Sequence, residues 1–260
     1  MGLPLVSSAK QVRFSVAFAA ATMVLGGVSA DPAQAEALRF SYWNEATAPW
    51  VNQDVSAPHK GILLDIGTLI AKNLGADAQF VKLPVIRIQS WLQEGKIDLD
   101  CVANPAWREK PELYQWTPAL FRDYDGLLVR KGQAATIKEL KDLIGKKVAI
   151  YQNYTYRTDF TQMMTSGQIE AIDMADLETG MKLLRLGRVD AVVDFGIVLQ
   201  YHLRDSKTAS EFELAQGHLE DFDLQCAYTN AIPIEPERMN SSIRTLVENG
   251  AIESVLVKYR

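Results

Sequence analysis

The sequence predicts an α/β protein made of two similar lobes, and two observations support this. Segments typical of β-strands alternate with segments whose apolar residues recur at helical spacing, which indicates β–α–β units with largely parallel strands. This series runs through residues 38–104 and starts again at residue 136. In addition, LQEGKIDLDCVAN and LRLGRVDAVVDFG share a helix end, a glycine, a basic residue, an aspartate and a strand, which favours two related units.

The first unit contains three predicted strands and two helices. LRFSYW alternates apolar and polar residues, as a half-buried strand does. GILLDIGTLIAKNLG has the spacing of an amphipathic helix, which Gly75 is expected to end. AQFVKL then predicts a strand, VIRIQSWLQEGK a second helix, and IDLDCVAN a third strand.

The second unit follows the segment TIKELKDLIGKK. It comprises the strand VAIY, a helix around residues 159–164, a strand at 169–172, a helix at 177–186 and the strand VDAVVDF.

Two strand-like segments, YDGLLVRKG and FDLQCAYTN, lead into and out of the second unit. Helices predicted at 236–249 and 252–258 are expected to pack on the first unit. We therefore predict a first lobe of residues 36–127 and 223–260, a second lobe of residues 128–222, and a two-strand hinge suited to lobe closure.

The N-terminal segment predicts export. Two basic residues precede an apolar run at residues 14–28, and small residues then offer cleavage after Ala30 or Ala35. This pattern is typical of a secretory signal peptide covering residues 1–35, and a retained N-terminal anchor is the alternative. We expect a soluble protein in the periplasm.

The charge of the chain argues against some partners. It carries 27 basic and 32 acidic residues, a net charge of −5, and has no run rich in lysine and arginine. Nucleic acid is therefore not an expected partner. No motif requires a cofactor or a metal ion.

Cys101 and Cys226 are the two cysteines of the chain. Export permits a disulfide between them, which would be worth about 4–5 kcal/mol in the chain-entropy treatment because the closed loop is long. Two buried free thiols are the alternative, and the spacing fits no metal site.

An aspartate ends the apolar strand of GRVDAVVDFG, residues 187–196. Burying a carboxylate is costly unless a cation meets it. Asp194 is therefore a candidate for binding a positive group of a ligand, and the alternative is a cap for a helix over residues 196–201.

Taken together, these segments resemble the bacterial extracellular solute-binding proteins of family 3, the polar amino-acid-binding components of ABC importers. The resemblance spans the mature chain. It rests on GILLDIGTLIAKNLG, GKID, AWREKPELYQWTPAL, IKELKDLIGKKVAIYQNYTY, LGRVDAVVD and NGAIESVLVKY.

This resemblance implies the two-lobed periplasmic-binding-protein fold of type II, in which each lobe is a mostly parallel sheet flanked by helices. It implies a monomer that captures a small zwitterion, most simply an amino acid, between its lobes. It also implies delivery of that solute to the permease of an ABC importer.

The resemblance implies roles for two charged residues. Asp194 would pair with the amine of the ligand and Arg108 with its carboxylate. Physical arguments agree, because ligands bind beyond the carboxyl ends of strands and a guanidinium grips a carboxylate with two parallel bonds. The alternative for Arg108 is a surface pair with Glu109 or Glu112.

The chain departs from the family pattern at two places. Pro105 replaces a threonine whose hydroxyl commonly touches the ligand, and the turn after VAIY contains Asn153, Tyr154 and Thr155. Asn153 tolerates a left-handed conformation and Thr155 offers a hydroxyl to the carboxylate, whereas Tyr154 is bulky. The ligand is thus either an atypical amino acid or another kind of solute.

Aromatic residues are expected to line the first-lobe face of the cleft. Trp43, Trp50 and Trp107 are candidates for stacking on the ligand, with a core position as the alternative for each. Glu45 is a candidate for a distal amine.

Two other functions, an enzyme and a sensor protein, are alternatives for this sequence. The family's fold also carries a cyclohexadienyl dehydratase, which needs a general acid, and the candidates are Glu45, Glu178, His59, His202 and His218. No nucleophile motif accompanies them, so we expect no enzyme. The protein could instead be the ligand-sensing partner of a membrane receptor, and the sequence is compatible with either role.

Overall fold

The structure is a computed structural model that describes residues 37–44, 46–52, 60–152, 154–232 and 234–260. The predicted signal peptide lies outside the described residues. Within the described ranges, no helix is long and apolar enough to cross a bilayer.

Strands and helices alternate as the sequence predicts. The strands are β1 (Ala37–Trp43), β2 (Asp77–Leu83), β3 (Asp100–Ala103), β4 (Gln115–Trp116), β5 (Phe121–Arg130), β6 (Lys147–Tyr151), β7 (Glu170–Met174), β8 (Ala191–Phe195), β9 (Phe212–Leu214) and β10 (Asp221–Tyr228). The α-helices are α1 (Ile62–Asn73), α2 (Val85–Gln93), α3 (Thr158–Thr165), α4 (Leu177–Arg185), α5 (Gly196–Leu203), α6 (Ser206–Glu211), α7 (Pro236–Glu248) and α8 (Ala251–Leu256).

The first lobe consists of β1–β3 with α1, α2, α7 and α8. Strands β1 and β2 pair in parallel along their full length, and a parallel bridge between Phe40 and Leu99 connects β1 to the segment before β3. Helix α1 buries its apolar face completely at Ile62, Ile66 and Ile70. The C-terminal helices pack on α1, where the Asn73 side-chain amide donates to the Ser242 hydroxyl at 2.7 Å.

The second lobe is built around β6, which pairs in parallel with β7 and with β8. Strand β8 is buried along Ala191–Asp194, so its apolar run forms the centre of this lobe. Helix α4 lies close to β8 because Gly180 has no side chain. A Cβ atom there would lie 2.8 Å from Val192 Cγ1 and 2.6 Å from Met174 Sδ.

Two antiparallel crossing strands, β5 and β10, connect the lobes. The first half of β5 pairs with β10 over residues 121–124, and the second half pairs with β8 over residues 125–128. Strand β10 continues to β3, which gives the strand order β3-β10-β5-β8-β6-β7. The α/β prediction is confirmed. The boundaries predicted at 127/128 and 222/223 fall inside β5 and β10.

A disulfide joins Cys101 of β3 to Cys226 of β10, which lie opposite each other in the antiparallel pair. Both residues are buried. The predicted disulfide is therefore confirmed, and the alternative of two free thiols is wrong. The bond ties the first-lobe sheet to one of the two crossing strands.

Removing this disulfide is expected to lower the free energy of unfolding by about 2–5 kcal/mol, because the unfolded chain regains the freedom of a long loop. The two cysteines are 125 residues apart. Urea unfolding with and without reductant measures the change.

The double variant Cys101→Ala/Cys226→Ala is the control for the reductant. Its unfolding midpoint should match that of the reduced protein and should not respond to reductant. A wild-type midpoint that stays the same after both thiols are shown to be free would contradict the expectation.

Candidate functional site

Five aromatic side chains meet between the lobes. This interlobe aromatic cluster consists of Trp50, Trp107, Tyr154, Phe195 and Phe222. The ring centroid of Phe195 lies 5.3 Å from that of Trp50, 6.0 Å from that of Trp107 and 5.9 Å from that of Tyr154. Phe222 of β10 completes the cluster at 5.2 Å from Trp107 and 5.4 Å from Phe195.

The cluster lies at the carboxyl ends of strands. Phe195 ends β8, Tyr154 follows β6 and Trp107 follows β3. Trp50, between β1 and α1, is only 6% exposed. Ligands of open α/β sheets bind at such strand ends, so the cluster lies where a ligand-binding cleft is expected.

Asp194 is buried beside this cluster, with 6% of its surface exposed. Its Oδ2 accepts a hydrogen bond from the Tyr151 hydroxyl at 2.7 Å, and its Oδ1 accepts one from the backbone N–H of Phe195 at 2.7 Å. Burial raises the pKa of Asp194 to about 7, although both hydrogen bonds favour the ionised form. Within the described part of the chain, no cation forms an ion pair with it.

Asp194 does not cap the helix that follows. Helix α5 begins at Gly196, its N-cap residue is Phe195, and no side chain bonds its first turn from that position. The alternative considered for Asp194, a helix cap, is therefore wrong.

A second buried carboxylate, Asp125 of β5, was not predicted. It is 1% exposed, and its Oδ1 accepts a hydrogen bond from the Tyr154 hydroxyl at 2.9 Å. Its Oδ2 is buried and has no hydrogen-bond partner among the described residues. Burial raises the pKa of Asp125 to about 7, with further increments from the negative charges of Glu220, Asp194 and Asp123.

Asp123, two residues earlier on β5, is buried as well. Its carboxylate accepts a hydrogen bond from the backbone N–H of Ile197 at 3.2 Å, and burial raises its pKa to about 6. Asp123, Asp125 and Asp194 thus place three carboxylates near the junction of β5 with β8 and β10.

Arg108 is mostly buried, with 13% of its side chain exposed, and its Nη2 donates to Asp100 Oδ2. Asp100 also accepts from the Ser41 hydroxyl at 2.7 Å. Burial raises the pKa of Asp100, and the Arg108 charge opposes that shift. The alternative for Arg108, a surface pair with Glu109 or Glu112, is wrong, because its partner is a buried aspartate of β3.

Three tyrosines lie at the end of β6 and on the turn that follows it: Tyr151, Tyr154 and Tyr156. The Tyr156 hydroxyl accepts from the backbone N–H of Tyr151 at 2.8 Å, and the Tyr154 and Tyr156 rings lie 4.6 Å apart. Burial and the nearby carboxylates raise the pKa of Tyr151 and of Tyr154 far above the ordinary value of tyrosine. Their hydroxyls therefore remain hydrogen-bond donors at every physiological pH.

The other predicted site residues take different positions. Trp43 is half-buried, with its ring 6.2 Å from Trp50, and Thr155 is exposed on the turn. Asn153, Glu45 and His59 lie outside the described residues.

The described candidates for a general acid, Glu178, His202 and His218, lie outside the interlobe aromatic cluster. Glu178 is exposed in the first turn of α4, and His202 of α5 hydrogen-bonds to the backbone of Ala48. His218 lies 3.3 Å from Asp221. Over the described ranges, no group of three or more histidine, cysteine or acidic side chains could hold a metal ion.

Solved structures with the same fold come from several proteins. An ancestral arginine-binding protein bound to arginine is 21% identical, with a TM-score of 0.68 over 87% of this chain and 99% of that one. The GluR0 ligand-binding core in complex with L-glutamate is 19% identical, with a TM-score of 0.70 over 88% and 99%. AncCDT-1, an ancestral amino-acid-binding protein and a precursor of cyclohexadienyl dehydratase, is 21% identical, with a TM-score of 0.65 over 86% and 95%.

At these identities the structures show a shared two-lobed fold, and no curated protein matches the sequence. The family is shown by a different comparison. The model of the bacterial extracellular solute-binding proteins, family 3, matches residues 40–259, which is nearly all of the described chain. The protein therefore belongs to family 3 of the bacterial extracellular solute-binding proteins.

Proposed function

We propose that this protein is exported to the periplasm, where it captures an amino acid or a related zwitterion between its lobes and delivers it to the permease of an ABC importer. The observation that carries this proposal is Asp194. Its carboxylate is buried at the end of β8, lies beside a ring that contacts both lobes, and has no ion pair within the described part of the chain.

The ammonium group of the solute is proposed to bind Asp194. An ammonium is a stronger partner for a buried carboxylate than the neutral Tyr151 hydroxyl, because it adds the attraction of a full opposite charge to the hydrogen bond. The rings of Trp50, Trp107 and Phe195 add favourable contacts, since a cation is attracted to the faces of aromatic rings.

The carboxylate of the solute is proposed to bind Arg108 and the Thr155 hydroxyl. A guanidinium has five N–H donors, so one bond to Asp100 leaves others for a ligand. Tyr154, Trp43 and Trp50 are proposed as walls of the site, and Asn153 is kept as a predicted ligand-binding residue.

Ligand capture is proposed to couple to lobe closure. Opening the cleft would separate Trp50 from Phe195 and Trp107 from Tyr154, while β5 and β10 bend as the hinge. The permease would recognise the closed arrangement of the two lobes. The predicted lobe boundaries within β5 and β10 belong to this proposal.

We propose a binding role without catalysis. A dehydratase needs a general acid at the reacting group, whereas Glu178 is exposed on α4, His202 bonds to the Ala48 backbone and His218 lies beside Asp221. Absence of dehydrated product after incubation with prephenate-type substrates is the expected result.

Replacing Asp194 with asparagine is expected to weaken amino-acid binding by at least about 100-fold. The change keeps the size of the side chain but removes the charge, and losing one partner of a buried ion pair costs about 2–5 kcal/mol. A thermal-shift screen of amino acids first identifies a ligand, and calorimetry then compares the variants.

The control for this experiment is Asp173→Asn, which removes an exposed carboxylate of β7. It should bind as the wild type does. If Asp194→Asn also bound with wild-type affinity, the assignment of the amine to Asp194 would be wrong.

A second prediction separates the structural role of Arg108 from its proposed binding role. Arg108→Gln alone should lower the free energy of unfolding by about 3–5 kcal/mol, because it leaves Asp100 buried without its partner. The double variant Asp100→Asn/Arg108→Gln contains neither charge, so it should recover most of the stability but not the affinity for the amino acid.

Urea unfolding and calorimetry measure the two effects separately. The decarboxylated amine of the same amino acid is the control ligand, and the double variant should change its affinity much less. Wild-type amino-acid affinity in the double variant would show that Arg108 does not bind the carboxylate.

A further inference from the structure

The carboxylate of Asp125 is not used by the proposed function, although its surroundings resemble those of Asp194. Both are buried at the junction of β5 and β8, and each accepts a hydrogen bond from a tyrosine hydroxyl, Asp194 from Tyr151 at the end of β6 and Asp125 from Tyr154 on the turn that follows. In addition, Asp125 Oδ2 is buried and has no hydrogen-bond partner among the described residues. A native structure rarely keeps such an atom without a functional reason.

Strand pairing places the backbone of Asp125 one residue away from the position opposite Asp194, the proposed amine site. Asp125 lies opposite Phe195, and the following residue, Gly126, lies opposite Asp194. The Tyr154 ring, whose hydroxyl covers Asp125 Oδ1, contacts Trp107 and Phe195 in the interlobe aromatic cluster. The Tyr154 side chain therefore connects Asp125 to the interlobe aromatic cluster.

The charged groups around Asp125 are all acidic. Asp123 faces it from its own strand, Asp194 from β8 and Glu220 from the segment before β10. Arg157, the basic residue near Glu220, is paired with Asp159 and donates to the Leu219 carbonyl. Negative charge at Asp125 and Asp194 is thus uncompensated within the described residues, and a ligand can supply the missing positive charge.

We propose that Asp125 binds a second positive group of the solute, so that the solute carries two cationic groups, as a diamino acid does. This rests on the proposed function, in which Asp194 binds the first amine. The Tyr154 hydroxyl gives up its place on Asp125 when the solute enters, and Asp125 then selects dications over solutes with one amine.

L-lysine and L-norleucine test this selection, because their side chains differ by one terminal ammonium. Calorimetry on the whole exported chain should show that L-lysine binds at least tenfold more tightly than L-norleucine. In Asp125→Asn this ratio should fall to about one. Asp173→Asn, which removes an exposed carboxylate of β7, is the matched control and should keep the wild-type ratio.

The pH dependence of the wild type provides a readout that does not depend on a variant. A cation binds the ionised carboxylate, and the pKa of Asp125 in the free protein is raised to about 7. Acid therefore weakens binding at Asp125, and the ratio of L-lysine to L-norleucine affinity should fall between pH 8 and pH 5 toward the value of about one expected for Asp125→Asn. Protonation of Asp194 and Asp123 affects the binding of both ligands, and it changes the ratio only through the effect of their charges on Asp125.

The outcomes separate the two proposals. Equal affinity for both ligands, lost in Asp194→Asn, would overturn the role of Asp125 and leave the proposed function intact. A lysine preference that persists in Asp125→Asn and is constant with pH would also overturn it. If neither ligand binds, the dication proposal fails, and if no zwitterion binds in the wider screen, the proposed function fails with it.

Discussion

Three buried carboxyl groups that form no ion pair within the described residues, close to the interlobe aromatic cluster, are the constraint on which the rest of the site depends. Asp123, Asp125 and Asp194 are buried near one another, and burial raises the pKa of each. Folding alone would favour apolar residues at these positions, since a buried ionised carboxylate without a cation is destabilising. Clusters of this kind occur where function requires them, and a cationic guest is the simplest group that would remove the destabilisation.

The crossing strands place these buried carboxyl groups at the proposed hinge between the lobes. Strand β10 is fixed to β3 by the disulfide, so the first half of β5, which pairs with β10, stays with the first lobe. The second half of β5 pairs with β8 and follows the second lobe. The change of partner falls between Tyr124 and Asp125. A ligand held by Asp125 and Asp194 therefore acts at the pivot itself, which couples occupancy to the angle between the lobes.

The sequence predicted the α/β alternation, the disulfide and the burial of Asp194, because an aspartate at the end of an apolar strand is conspicuous. It did not reveal Asp125. Three of the first five residues of the strand FRDYDGLLVR are charged, so its carboxylates look solvent-facing, yet Asp125 is buried against β8 and Tyr154. The sequence also did not indicate Asp100 as the partner of Arg108. Glu109 and Glu112 are nearer to Arg108 in the chain, whereas Asp100 is its partner in space.

The tyrosines explain how such a site distinguishes among solutes. The hydroxyls of Tyr151 and Tyr154 donate hydrogen bonds to Asp194 and Asp125, respectively. Both hydroxyls stay protonated at physiological pH. A neutral solute that displaced them would replace one neutral donor to the carboxylate with another and gain little. A cationic group gains a charge-assisted bond and neutralises the buried charge. If Asp194 and Asp125 bind cationic groups as proposed, the site selects by charge before it selects by shape, and the aromatic rings then favour a solute whose cationic groups can lie against their faces.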